Sequence, residues 1–121
     1  MAKRAASTKP AGLPPAAFHV LVGLADGPRH GYAIKQELER LSRGTVRLGP
    51  GTLYEAIQRL EAQGLIEAAQ RTGDGDVHER ARRPYRLTRV GIATLKAELA
   101  RLEAVLEWAR DARLLAVRGE P

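Results

Sequence analysis

Residues Gly49 to Glu67 read GPGTLYEAIQRLEAQGLIE, and this stretch decides the fold. Leu53, Ile57 and Leu60 recur at i, i+4 and i+7, which is one face of a helix. Pro50 suits a first helical position, where its missing N–H costs nothing. Leu48 and Leu53 stand at the spacing of a hydrophobic staple across the helix start. The helix therefore begins at Gly49 or Pro50, and Gly64 is placed to end it in the left-handed conformation. Leu65 to Arg71 follows as a strand.

Working upstream, Gly31 to Ser42 carries Ile34, Leu38 and Leu41 as a second apolar stripe, with Lys35, Glu37, Glu39 and Arg40 mostly off it. Arg43 to Leu48 connects the two helices, and Gly44 is the expected stop of the earlier one. Two short amphipathic helices joined by a tight turn make a helix-turn-helix. Before them, Pro14 to Asp26 is apolar almost all round and ends at Gly27-Pro28. A helix without a polar face is buried on most sides. In so short a chain that predicts burial against a second subunit, through Phe18 and Leu21, as well as against its own core.

Downstream, Pro84 to Leu87 reads as the partner of the Leu65 to Arg71 strand, with Thr72 to Arg83 as a long polar tip. Pro84 is restricted to the start or the edge of a strand. Thr88 is a good N-cap for a last helix running to about Leu115. Leu87 and Ile92 have staple spacing, and Gly91 is the helix's one weak point. Leu95, Leu99, Leu102, Leu106 and Ala109 recur every three to four residues. At about 1.5 Å per residue such a helix is about 40 Å long, too long for the rest of the chain to cover. Its stripe is a coiled-coil-like seam seeking another helix, so Leu95, Leu99, Leu102 and Leu106 are expected at a dimer interface. The fold class is mainly α with a small β-hairpin wing (α+β): a winged helix-turn-helix over residues 13–88, a dimerisation helix over 89–117, and a disordered basic tail over 1–12.

Composition narrows the function. Lys plus Arg number 20 and Asp plus Glu 14 in 121 residues, a net charge of +6 that suits a polyanionic partner. Cysteine is absent, which removes disulfides, thiolate nucleophiles and cysteine metal sites. No apolar run is long enough to span a bilayer, and Met1 to Pro15 lacks the apolar core of a signal peptide, so a cytoplasmic protein is expected. His19, His30 and His78 fall in separate elements, with neither a metal-binding spacing nor a glycine-rich phosphate loop. An enzyme, a metal and a cofactor are therefore not expected. Lys3, Arg4 and Lys9 read as solvated residues of the tail, with phosphate contact the less favoured reading.

In a winged helix-turn-helix the third helix enters the major groove. With Leu53, Ile57 and Leu60 inward, a rotation of about 100° per residue puts Gly51, Thr52, Glu55, Gln58, Arg59 and Ala62 outward and Tyr54 and Ala56 on the flanks. Gly51 lets a backbone approach. Thr52 and Tyr54 offer hydroxyls to phosphate, Arg59 reaches a guanine edge or a phosphate, and Glu55 either accepts from cytosine or pairs with Arg59. Tyr54 has a competing role in packing against the wing. Arg80, Arg82 and Arg83 on the returning strand are candidates for backbone or minor-groove contact.

The segments His30 to Leu38 (HGYAIKQEL), Gly49 to Glu67 and Arg83 to Gly91 (RPYRLTRVG) resemble the PadR family of transcriptional regulators, over roughly Leu13 to Ala112. The resemblance implies a homodimeric repressor of an inverted-repeat operator, with the C-terminal helix as dimer arm, as in the short-armed subfamily. It also implies roles in DNA binding for Gly51, Thr52 and Tyr54. Two departures are Gly49, where serine is usual, and Glu55, where small residues or proline are common. Some members stack small aromatic effectors between tryptophans at the dimer interface. Trp108 lies on the matching helix, nearly two turns beyond that position, which favours an ordinary interface aromatic over an effector site. The rival reading from another class is a winged-helix protein–protein interaction module that does not bind DNA.

Overall fold

A computed structural model describes residues 13–69 and 83–117. Its elements in chain order are α1 (Pro15–Gly23), β1 (Arg29–His30), α2 (Gly31–Leu41), α3 (Pro50–Ala62), β2 (Ile66–Ala68), β3 (Pro84–Leu87) and α4 (Arg89–Asp111). Four helices and a small antiparallel sheet give the expected α+β winged helix-turn-helix. The basic tail over 1–12, and with it Lys3, Arg4 and Lys9, lies outside the described residues. So does the wing tip from residue 70 to 82.

The core forms where the helix-turn-helix stripes meet α1. Val20, Leu21 and Leu24 of the α1 segment, Ile34 and Leu38 of α2, and Leu53, Ile57 and Leu60 of α3 are all buried. Gly23 lets α1 and α2 approach closely: a Cβ there would meet Ile34 Cγ2 at 3.0 Å. Two expectations are corrected here. Leu41 is 54% exposed, since α2 buries only Gly31, Ile34 and Leu38 and its last residue lies beyond the packed part of the stripe. Leu21, expected at a dimer interface, is fully enclosed by its own chain.

The turn between α2 and α3 is held by short polar contacts. The Ser42 Oγ accepts from the Val46 N–H at 2.8 Å, and the Ser42 carbonyl accepts from the Thr45 hydroxyl at 2.8 Å. Arg43 and Gly44 both take positive φ there. Leu48 is partly buried against the core that includes Leu53. At the far end of α3, Gly64 has φ +77°, and the Leu65 N–H donates to the Leu60 carbonyl at 3.0 Å, closing the helix.

The sheet has three strands, in the order β1-β3-β2. The expected hairpin of two strands was incomplete: Arg29 pairs with Tyr85 and His30 with Pro84. β3 is thus central, and Pro84 is tolerated as its first residue, offering its carbonyl to the Ala69 N–H at 2.8 Å. Glu67 and Arg86 face each other across β2 and β3 and form an exposed ion pair at 2.9 Å.

Thr88 caps α4 as expected, accepting from the Gly91 N–H at 3.0 Å, and it also donates to the Gly64 carbonyl at 2.6 Å. One threonine therefore ties the start of α4 to the end of α3. Gly91 sits at the same junction. A Cβ there would collide with the Leu65 backbone carbonyl, so the apparent weak point of the helix is a site of close approach. α4 stops at Asp111, four residues short of the expected end. Arg113 turns left-handed at φ +65°, and the Leu114 N–H reaches back to the Ala109 carbonyl at 2.8 Å.

Candidate nucleic-acid interface

α3 buries Leu53, Ala56, Ile57 and Leu60 and leaves Gly51, Thr52, Glu55, Gln58, Arg59 and Ala62 exposed. The helical rotation expected from the sequence is the one observed, with Ala56 on the buried side of its flank. Its N-cap is Gly49, with no side-chain cap, and its first turn holds no acidic residue. No side chain of the helix start accepts from the N–H groups at this partially positive end.

Tyr54 is half-buried, and its ring lies over the first turn of α2. A Cβ at Gly31 would meet Tyr54 Cε1 at 2.7 Å and Oη at 3.1 Å. Gly31 is thus the seat of Tyr54, a role sequence reading missed. The signal was the glycine inside His30-Gly31-Tyr32, at the start of a helix where a side chain would otherwise be favoured.

Glu55 and Arg59 make no ion pair with each other among the described residues. Together with Thr52 and Ala56 they form one wall of a notch of about 150 Å³, whose other wall is Pro14, Ala16 and Ala17. The start of α1 therefore borders the outward face of α3, which the sequence did not suggest. Of the candidate wing arginines, Arg83 is half-buried just before β3. Arg80 and Arg82 lie outside the described residues.

The candidate dimer residues divide. Leu95, like Leu21, is buried in its own chain's core, because the first turns of α4 lie against the body. Phe18 is half-buried beside that core, its ring 5.5 Å from that of His19. Leu102 is half-buried, whereas Leu99 is 44%, Leu106 45% and Trp108 67% exposed. An apolar groove of about 430 Å³ runs between the end of α1, β3 and α4, lined by Leu24, Pro28, Leu87, Ile92 and Leu99 among others. No helix among the described residues is long and apolar enough to cross a membrane.

Residues 20–97 match the family model described as the transcriptional regulator PadR-like family. The transcriptional regulator Rv3488 of Mycobacterium tuberculosis is 46% identical over 94 residues, 78% of each chain. A transcriptional regulator from Clostridium thermocellum superimposes with a TM-score of 0.63 at 25% identity, over 79% of this chain and 87% of its own. Lactococcus lactis ZitR, solved in complex with DNA, shares the fold at a TM-score of 0.58 and 20% identity, over 87% of this chain and 63% of its own.

Proposed function

The chain belongs to the PadR-like family of transcriptional regulators, which are not enzymes, and on that premise we propose that it binds DNA in the cytoplasm as a sequence-specific repressor. The observation that carries this reading is the outward face of α3: Thr52, Glu55, Gln58 and Arg59 stand exposed together on a helix firmly seated by Leu53, Ile57 and Leu60. A rigid helix with a free polar face is what a major groove accepts. The DNA complex of ZitR, a protein of the same fold, supports the same use.

In this reading residues 13–88 are the DNA-binding unit. Gly51 gives the DNA backbone room, Thr52 and Tyr54 donate to phosphate, and Arg59 reaches a base edge or phosphate. Glu55 faces the groove beside them. Arg80, Arg82 and Arg83 hold the backbone or minor groove beside the wing. Residues 89–117 pair two copies, through Leu99, Leu102 and Leu106 of α4 with Phe18 at the margin. What supports this is the apolar side that α4 leaves uncovered by its own chain. A two-fold dimer reads an inverted repeat. A small hydrophobic or aromatic effector that loosened the dimer at Trp108 would act as an inducer.

Selection of bound duplexes from a random pool tests the proposal. The expected product is a palindrome with half-site centres about 34–36 Å apart, or a multiple of that. No enrichment at low salt, where phosphate contacts are strongest, would overturn it in favour of a protein–protein module.

A further inference from the structure

Gly31 opens α2, and its backbone gives no reason for a glycine. Gly27, Gly44 and Gly64 take positive φ, whereas Gly31 does not. An alanine would suit a helical backbone better. What the missing side chain does is admit Tyr54 of α3. A Cβ at Gly31 would stand 2.7 Å from Tyr54 Cε1, 3.2 Å from Cζ and 3.1 Å from Oη, and these are its three nearest neighbours. The hydroxyl end of the ring therefore rests against the start of α2.

That position matters for a helix-turn-helix. Its second helix enters the major groove while its first crosses the DNA backbone. A hydroxyl carried by α3 but lying over the first turn of α2 stands where a phosphate strand passes between the two. The first turn of α2 holds no acidic residue to repel a phosphate. Among the described residues the Tyr54 hydroxyl makes no hydrogen bond. A half-buried hydroxyl without a partner gains from an acceptor that arrives with the ligand. A ring seated in one place also loses less freedom on binding than one that swings.

We propose that Gly31 is a positioning residue for DNA binding: by lacking a side chain it holds the Tyr54 hydroxyl over the start of α2, ready to donate to a phosphate. This rests on the DNA-binding reading of α3. A methyl group at Gly31 meets the free end of a side chain and no backbone atom. Gly31→Ala therefore displaces the ring and leaves the fold in place.

The test is a double-mutant cycle on a mixed-sequence fluorescent duplex at about 50 mM salt, with melting temperature measured alongside. Gly31→Ala and Tyr54→Phe are each expected to weaken binding about tenfold per protomer. Neither removes a cation, so the slope of log affinity against log salt should hold. Added to Tyr54→Leu, which has no ring to displace, Gly31→Ala should cost nothing further. The melting temperature of Gly31→Ala should stay close to that of the unchanged chain. Full affinity in Gly31→Ala would overturn the proposal. Full affinity in Tyr54→Phe would do the same, since the hydroxyl is then not the contact. An equal loss from Gly31→Ala with and without the tyrosine would show that Gly31 acts by another route. A Gly31→Ala chain that does not fold would make the glycine a requirement of the core, and the positioning role falls. If the unchanged chain does not bind the duplex, the DNA-binding reading itself fails and the proposal fails with it.

Discussion

α3 and α4 each leave one face uncovered, but the two faces are of opposite kinds. That of α3 is polar and small: Gly51, Thr52, Glu55, Gln58, Arg59 and Ala62. That of α4 is apolar: Ile92, Leu99 and Leu106, with Leu102 half-buried beside them. Water solvates the first at no cost, so α3 folds without its partner and remains free to bind and release one. Exposed leucines are different, since each gains about 1.5–3 kcal/mol when fully buried. The proposed function accordingly gives the two helices two partners: a reversible, charged one for α3 and a lasting, apolar one for α4. Thr88 and Gly91 connect them, so in the proposed dimer the spacing of the two α3 faces would be set through a tight junction.

The largest expected effect comes from spoiling the apolar face. Leu99→Asp with Leu106→Asp removes two half-exposed leucines from each protomer's side of the proposed interface and inserts four charges, about 3–6 kcal/mol of dimer stability. Sedimentation should show a monomer that keeps its helical content, and operator binding should be lost with the dimer. A variant that remains dimeric would mean that the free side of α4 is not the interface.

Next comes the junction. Gly91→Ala drives a Cβ into the Leu65 carbonyl, and about 2–4 kcal/mol of stability is expected to go, read as a lower melting temperature. An unchanged melting temperature would show that α4 pivots freely on the body, and the fixed spacing of the two faces would fall with it.

The polar face should respond differently. Arg59→Ala is expected to weaken operator binding by about 1–3 kcal/mol while the melting temperature and dimer mass hold. If it instead destabilises the fold, α3 is not the free surface described here. The smallest effect concerns acid. Asp26, Glu37 and Glu39 are held below the ordinary carboxylate range by hydrogen bonds from Arg29, Arg40 and Lys35 respectively. Their contribution is complete above the unfolded carboxylate range and is lost as pH falls through the lower folded values. Melting temperature should therefore be level near neutrality and decline slightly only below about pH 4.

How much of this was legible in the sequence follows from the range of the forces involved. α3 was readable to its ends, because its stripe, its staple and Gly64 are all local signals that agree. The outward face followed from helix geometry alone. Periodicity says that a residue is buried, not what buries it, and so Leu21 and Leu95 were assigned to a partner when their own chain encloses them. Leu41 erred the other way, since its stripe ran on past the packed part of α2. β1 has two residues and no pattern to read. The end of α4 rests on a left-handed arginine, Arg113, where no glycine announces a stop. Gly31 and Gly91 were opaque for a single reason: each makes room for a neighbour distant in the chain or in another element.

The central claim is that two copies joined through α4 present two α3 faces to one duplex. Sedimentation equilibrium of the full chain with its selected duplex tests this directly. The account predicts two chains per duplex, with a duplex carrying only one half-site bound far more weakly. One chain per duplex, or equal affinity for the half-site and the full palindrome, would contradict it.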